Sequence, residues 1–209
     1  MTTITPVFLA FDTSTAACTA ALFDGSGACI ARADEIIGRG HAERLVPMIA
    51  ELTTGRVPKR IIVGVGPGSF TGIRVAIAAA QGLAIGWGAE LLGMSSLALL
   101  AAGANGHGPV AAAVAGGHGE LFVQEFDAAT LQPRSDLGNL APGKAARVVT
   151  APLVVGSGAR LLVEARGFGE ARELLPSASD ALHLPEPMRT LAPKPIYARA
   201  PDARVQEAA

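Results

Sequence analysis

The sequence predicts an α/β fold built from two similar halves. Residues 10–24 align without a gap to residues 113–127, and both stretches have the pattern of a strand, a tight turn and a second strand that ends in Phe-Asp. The shift between them is about half of the 209-residue chain. Strand and helix patterns also alternate along the first half, which is typical of α/β proteins. We therefore predict a duplicated fold, with an N-terminal lobe over residues 1–103 and a smaller, abbreviated C-terminal lobe over residues 104–209.

The predicted elements follow from apolar periodicity and from the turn residues between them. Pro47 fits its helix only near the first turn, where its missing N–H has no partner in any case. Beyond residue 128 the sequence is rich in Pro, Ala and Arg, and a single strand pattern stands out. The predictions are strands at 8–11, 17–23, 28–36, 61–65, 91–92, 110–114, 120–126 and 153–155, and helices at 41–54, 71–86 and 95–102.

Composition limits the classes of function. The chain is 50% hydrophobic and 17% charged, and its net charge is −1. Tight binding to RNA or DNA by the chain alone is not expected, because that affinity comes mostly from neutralising phosphates. The N-terminus lacks a secretory signal pattern, and apolar stretches are interrupted before they reach membrane-spanning length. Cys18 and Cys29 are predicted to be reduced core thiols. We expect a cytoplasmic protein that does not bind membranes.

The most distinctive stretch is a Gly/Pro-rich loop, residues 64–74, that leads into a long apolar helix. Arg74 is the only charged residue between Arg60 and Glu90. A helix that is apolar all round must be covered on all sides. We interpret the cover opposite the sheet as another protein subunit; the alternative is a fully internal helix. The loop is predicted to be structural through Gly66, Pro67, Gly68, Ser69 and Gly72.

The loop and the histidines do not match familiar catalytic or metal-binding motifs. The loop lacks the lysine of a Walker A sequence, and Pro67 and Thr71 replace the glycines of a nucleophile elbow around Ser69. The four histidines never lie four residues apart, and no cluster has the spacing of metal ligands. We predict neither a catalytic set nor a metal site. The histidines are His41, His107, His118 and His183.

The first hairpin turn, Asp12-Thr13-Ser14, has two interpretations. In duplicated hairpin folds of the actin/sugar-kinase type, each turn points at a nucleotide held between the halves, and its acid and hydroxyls hold phosphate or orient a metal. Asp12, Thr13 and Ser14 are therefore a candidate nucleotide-facing turn. The alternative is an Asx turn that only closes the hairpin. The second turn has Ala115 in place of Asp12, so the pair cannot form a two-sided phosphate cage.

Several motifs together resemble the TsaB (YeaZ) family, the accessory subunit in bacterial biosynthesis of tRNA threonylcarbamoyladenosine. The resemblance is strong over residues 7–127 and weaker beyond, and it implies an RNase H-like, actin-type fold in two lobes. One departure is Ala115-Gly116-Gly117, where family members often have Asp-Ala-Arg. The matching segments are residues 9–15, 41–49, 66–74 with the helix that follows, 119–120 and 195–199.

The resemblance also implies a function. The chain would be a non-catalytic partner subunit required for the N6-threonylcarbamoyladenosine (t6A37) modification of tRNAs that read ANN codons. It would dock on and activate the catalytic paralogue TsaD, act with the ATPase TsaE, form a homodimer when alone, and meet tRNA only through the complex. TsaD carries a metal-binding His-x-x-x-His, which this chain lacks. No cofactor of its own is implied; ATP or ADP at or near the complex interface stays open.

The alternative is a degenerate nucleotide-binding ATPase or a glycoprotease-like enzyme acting through Asp12, and the missing second acid and histidine pair count against it. For the accessory-subunit interpretation, small residues in the long helix would let another backbone approach closely. The helix at 41–54 would lie beside it. The predicted partner interface comprises His41, Leu45, Met48, Phe70, Thr71, Arg74, Val75, Ala78, Ala79 and Gly82.

Overall fold

The computed structural model describes residues 7–198. Residues 1–6, on which the expectation about a secretory signal rests, and Arg199 of the C-terminal motif lie outside the described residues. The first half comprises β1 (Phe8–Asp12), β2 (Ala17–Phe23), β3 (Cys29–Ile36), α1 (His41–Thr53), β4 (Arg60–Gly64), α2 (Phe70–Trp87), β5 (Glu90–Met94) and α3 (Ser96–Ala102). The second half comprises β6 (Pro109–Ala115), β7 (Leu121–Asp127), β8 (Gly138–Leu140), α4 (Pro142–Val148), β9 (Leu153–Val155), α5 (Ala159–Arg166), β10 (Glu170–Arg172) and α6 (Glu186–Arg189), with 3₁₀ turns at Gly117–Gly119 and Ala178–His183.

The two halves have the same sheet topology, which confirms the predicted duplicated α/β fold of the RNase H-like type. The first sheet has the strand order β3-β2-β1-β4-β5, and the second has the equivalent order β8-β7-β6-β9-β10. In each sheet the first three strands are antiparallel, and the remaining two run parallel to the first strand of the hairpin. Both hairpins therefore direct their turns to corresponding positions in the two halves.

The second half is built from shorter pieces than the first. Strands β8, β9 and β10 have three residues each, and α5 has eight residues where its counterpart α2 has eighteen. Elements this short do not show a clear apolar period, so the sequence indicated only β9 among them. The division at residues 103 and 104 stays a prediction, and the last described segment returns to the first sheet, where Leu191 pairs with Gly93.

A central core joins the two halves. Helix α3 of the first half contacts β6 and β7 of the second, while the turn at Ala178–His183 contacts β1, β2 and β3. The buried side chains between them form one cluster that draws on both sheets. Two further clusters lie on the outer faces, one under α1 and α2 and one under α4 and α5. Each half thus contributes a helical segment to the other's sheet.

Helix α1 is rotated relative to the prediction, and this corrects part of the predicted interface. Leu45 and Met48 have no exposed surface and belong to the core under the first sheet's outer helices. His41 is also buried, with Nε2 3.2 Å from the carbonyl oxygen of Ala17. Because the helix packs this face on β2, these side chains cannot contact a partner. The residues that face solvent instead include Ala42 and Val46.

The two cysteines have different environments, so the prediction of two core thiols is wrong for Cys29. Cys18 is buried, with Sγ 3.9 Å from Sδ of Met48, whereas Cys29 is exposed on β3. Burial raises the pKa of the Cys18 thiol to about 11. Cys29 lies on an edge strand of the first sheet, where solvent reaches one side.

We expect one thiol to react in the native protein and two in the unfolded protein. Cys29 is accessible, while Cys18 is both shielded and held in the unreactive thiol form near neutral pH. A titration with a chromogenic disulfide reagent, with and without denaturant, measures the two numbers. Cys29→Ser should remove the native signal. Rapid native labelling of Cys18 would contradict the buried position of β2.

Candidate functional site

The loop between β4 and α2 lies directly on the β1–β2 turn. The amide of Ser69 donates to the carbonyl oxygen of Ser14 at 2.7 Å, and Thr13 Oγ1 donates to the carbonyl oxygen of Gly72 at 2.7 Å. A Cβ atom at Gly72 would overlap the Thr13 carbonyl, and one at Gly68 would overlap the Ser14 carbonyl. The two glycines are therefore what allows loop and turn to pack backbone to backbone.

Asp12 is part of this packing and does not face solvent. Its Oδ1 accepts hydrogen bonds from the amide and the hydroxyl of Ser14, both at 2.7 Å. Its Oδ2 accepts from the hydroxyl of Ser96 at 2.5 Å, and Ser96 Oγ in turn accepts from the amide of Gly66 at 3.1 Å. A side chain at Gly64 would overlap the Asp12 carboxylate. The carboxylate thus ties β1 to the start of α3 and to the loop.

This network corrects the nucleotide-facing interpretation of the first turn. Asp12 and Thr13 are fully buried, and neither lines a cleft; Ser14 does, but its hydroxyl is held by Asp12. Asp12 is engaged by three hydrogen bonds and has no exposed surface, so its carboxylate is not presented to a ligand in the cleft. The Asx-turn alternative describes this segment.

A cleft of about 920 Å³ lies between the two hairpin turns. It is within the size range of ligand pockets in proteins. The first half contributes residues 14–16 and the start of α2, and the second half contributes residues 114–118 and Ser157. Among residues 7–198, Arg74 is the one permanently charged side chain that lines it. The described lining is therefore mainly apolar, with a fixed positive charge at the rim.

The second hairpin turn presents backbone to this cleft. Gly116 donates its amide to the carbonyl oxygen of Glu120 at 2.7 Å, and the amide of Ala115 donates to Ser157 Oγ at 3.1 Å. His118 has a left-handed backbone conformation with φ of 62°. No carboxylate lines this side of the cleft among residues 7–198, so the two turns do not form a pair of acids across it.

Three side chains form a cluster at the cleft rim. The guanidinium carbon of Arg74 lies 3.5 Å from the ring centroid of Phe70, and Arg74 Nε donates to the hydroxyl of Tyr197 at 3.1 Å. The two aromatic rings are 5.3 Å apart. We call these three residues the rim cluster. Tyr197 is 123 positions from Arg74 in the sequence. The segment after α6 brings it back to α2, and the amide of Ile196 in that segment donates to the carbonyl oxygen of Val65.

Helix α2 has one buried face and one exposed face. Its packed residues are Gly72, Ile73, Ala76, Ile77 and Ala80. The opposite side is open to solvent and carries mostly small or apolar residues, apart from Arg74 and Gln81; Phe70 is 52% and Ile85 85% exposed. The alternative of a fully internal helix is therefore wrong for this chain. We call the exposed side the α2 face; its exposed residues include Phe70, Thr71, Arg74, Ala78, Gly82 and Ile85, while Val75 and Ala79 lie partly buried at its edge.

The same helix has the length and apolar character of a membrane span, by composition alone. It is also the connection between β4 and β5, which are parallel neighbours in one sheet. A parallel connection must return across the sheet, and α2 does so by packing five residues into the core. The sheet therefore explains the apolar character of the packed side of α2.

Metal binding has no visible site in the part of the chain that the structure describes. There, no group of three or more His, Cys, Asp or Glu side chains is placed to hold an ion. Ion pairs in the same region are peripheral, such as Arg44 with Glu35 at 2.6 Å and Arg60 with Glu90 at 2.6 Å. The features that the structure places around the cleft are a largely apolar helix face and one stacked guanidinium.

This chain spans about half the length of the curated relatives that it matches. TsaB of Escherichia coli (strain K12), named a tRNA threonylcarbamoyladenosine biosynthesis protein, is 39% identical over 127 residues, which is 56% of this chain and 54% of that protein. TsaB of Haemophilus influenzae is 39% identical over 99 residues, covering 44% of this chain and 41% of that protein. A family model described as TsaD, tRNA N6-adenosine threonylcarbamoyltransferase, matches residues 34–152, more than half of the chain.

Solved structures match over nearly the whole chain. YeaZ from Pseudomonas aeruginosa is 30% identical with a TM-score of 0.76, covering 92% of this chain and 99% of that one. A second Pseudomonas aeruginosa structure, described as similar to peptidase YeaZ, is 32% identical with a TM-score of 0.77, covering 93% and 100%. The TsaD family model also matches this chain, so the two families are related. Together with the duplicated sheets and the glycine loop, the matches to solved structures show that the chain belongs to the TsaB (YeaZ) family.

Proposed function

We propose that this chain is a non-catalytic partner subunit in the biosynthesis of threonylcarbamoyladenosine at position 37 of tRNAs that read ANN codons, and that it docks on the paralogue TsaD through the α2 face. The observation that carries the proposal is the exposed apolar side of α2, an eighteen-residue helix. The names of the curated TsaB relatives support the pathway. The TsaD family model supports a paralogue of related fold.

The α2 face has the properties of a helix-packing surface. Gly82 has open space around it, and the small residues beside it let another helix approach closely. A specific interface of standard size buries about 800 Å² per partner. At about 25 cal/mol per Å² of apolar area, burial of this order offsets the cost of association. Phe70 and Ile85 then supply bulk near the two ends of the surface.

The non-catalytic role is supported by what the candidate acid does. Asp12 is occupied by Ser14 and Ser96, and it lies outside the cleft. An ATPase or a glycoprotease-like enzyme acting through Asp12 has no exposed acid to use in that turn. We further propose that TsaE joins the complex, that tRNA meets this chain only indirectly, and that the assembly works in the cytoplasm.

Reconstitution tests this function. Unmodified tRNA is incubated with threonylcarbamoyl donor, ATP, TsaD, TsaE and this chain, and each protein is omitted in turn. We expect the modified nucleoside to disappear when this chain is omitted, and the chain alone to hydrolyse neither ATP nor peptides. Full modification without the chain would contradict the proposed function. Turnover by the chain alone would contradict its non-catalytic role.

The isolated chain is expected to self-associate through the α2 face. Large exposed apolar patches are costly in water and mark association sites. In the absence of TsaD, a second copy can cover the same surface. Sedimentation or light scattering over a concentration series measures the oligomeric state, with Gly82→Arg as the matched variant. A wild-type protein that stays monomeric at the highest concentrations would count against self-association through the α2 face.

A further inference from the structure

We propose that the rim cluster is the anchor of the docking interface and that it receives a carboxylate, an Asp or Glu side chain, from the docking protein subunit. This inference rests on the proposed function, because it assigns chemistry to one end of the α2 face. The rim cluster comprises Phe70, Arg74 and Tyr197. None of the three contributes to the buried face of α2.

The guanidinium of Arg74 is held in a fixed orientation. One side is stacked over the ring of Phe70, at 3.5 Å from the centroid, and Nε is bonded to the Tyr197 hydroxyl. The same group lies 5.9 Å from the centroid of the Tyr197 ring. A guanidinium has five N–H donors, and Nε supplies one. The two terminal nitrogens keep a planar fork that matches a carboxylate.

Arg74 has no carboxylate partner among residues 7–198, and its terminal nitrogens, unlike those of Arg166, have no carbonyl oxygen to bond there. Arg60 and Arg160 each meet a glutamate within 2.7 Å. Arg74 instead lies on aromatic rings at the end of an apolar helix face. Covering that face with a protein would remove water from the guanidinium, and an unpaired charge there would be costly. An acid on the docking subunit would satisfy the charge and gain from the lower dielectric.

The position of the rim cluster fits an interface anchor. Phe70 and Arg74 are one turn apart at the start of α2, and Ala78 and Gly82 continue the same exposed row. Aromatic residues and arginine dominate the binding energy of protein interfaces. A protein rather than RNA is favoured, because a single cation among apolar residues supplies little of the phosphate neutralisation that RNA binding needs. The occupant is therefore an acidic residue flanked by apolar ones.

The test compares three variants for affinity to purified TsaD at low and high salt. Arg74→Met keeps the length of the side chain and removes the charge, whereas Arg74→Lys keeps the charge and loses the fork. The control is Arg160→Met on α5, where the arginine is exposed and paired with Glu164. We expect Arg74→Met to weaken binding by at least about 30-fold at low salt. Its affinity should also vary less with salt than the wild type, while Arg74→Lys weakens binding less and keeps the salt dependence.

Each other outcome counts against the inference. Wild-type affinity of Arg74→Met would show that the cluster is not an anchor, and weak binding with unchanged salt dependence would show that no acid pairs with Arg74. Loss of tRNA binding by the isolated chain in Arg74→Met would assign the cluster to RNA. An effect confined to self-association would assign it to a second copy. If Gly82→Arg abolishes TsaD binding while Arg74→Met does not, the proposed function stands and this inference fails; if neither variant matters, both fail.

Discussion

Replacing Gly72 with alanine is expected to lower the free energy of unfolding by about 3 kcal/mol, near the upper end of the cost of forcing atoms into a packed interior. The added Cβ would overlap the carbonyl oxygen of Thr13. The obstacle is backbone, so no side-chain rotation can relieve it. In addition, the carbonyl oxygen of Gly72 accepts a hydrogen bond from the Thr13 hydroxyl, and moving the helix away would break that bond. Denaturant unfolding monitored by circular dichroism measures the change.

Gly82→Ala is the matched control in the same helix. Nothing lies within 4 Å of a Cβ built at Gly82, so alanine should fit there. Alanine is favoured over glycine inside a helix by about 0.5–1 kcal/mol, so this variant should be slightly more stable than the wild type. If Gly72→Ala were as stable as Gly82→Ala, the close packing of the loop on the hairpin turn would be wrong.

Asp12→Ala is expected to destabilise the chain by about 3 kcal/mol or more, because it leaves buried hydrogen-bonding groups without partners. The Ser14 amide and the Ser96 hydroxyl both donate to the Asp12 carboxylate. Asp24 is the matched control. Its carboxylate accepts from the amide and hydroxyl of Ser26 in the same pattern, but in an exposed turn. Water can replace that acceptor, so Asp24→Ala should change stability far less.

The comparison also separates a structural Asp12 from a catalytic one. A structural Asp12 predicts a lower unfolding midpoint in the variant and no hydrolytic activity to lose. A catalytic Asp12 predicts the reverse: a normal unfolding midpoint and the loss of measurable ATP hydrolysis. The second result would restore the enzyme interpretation and contradict the hydrogen-bond network around this carboxylate.

Most of the first half could be predicted from the sequence because its elements are long. Helix α2 begins at Phe70 and ends at Trp87, each one residue beyond the prediction. The repeated hairpin was also visible, since its strands end in the same Phe-Asp pair. Strands of three residues, such as β8 and β10, leave no period to detect. The return of Leu191 to the first sheet depends on a long-range contact with Gly93 that no local pattern encodes.

The site was harder to predict because one local pattern serves two purposes. Asp-x-Ser in a tight turn fits both phosphate binding and an Asx turn, and Ser96, 84 positions away, decides between them. Leu45 and Met48 were predicted to face a partner, but both are buried, because the sequence of α1 alone does not show which side of the helix packs on the sheet. The rim cluster depended on the path of the chain after α6, and nothing near Tyr197 in the sequence indicated that path.

The central claim is that the exposed side of α2 docks on TsaD, and Gly82→Arg tests it most directly. An arginine there has open space in the isolated subunit but would lie where two helices should nearly touch. Ala79→Arg is a less clean test, because Ala79 is partly buried. Leu161→Arg is the control; Leu161 is 40% exposed on α5, the counterpart of α2 in the second half.

The measurement pairs a thermal melt of each variant with its binding to TsaD. We predict that Gly82→Arg melts close to the wild type and loses TsaD binding by about 100-fold or more, as expected when a charge is buried without a partner. Leu161→Arg should bind normally. Normal TsaD binding by a folded Gly82→Arg would contradict the account.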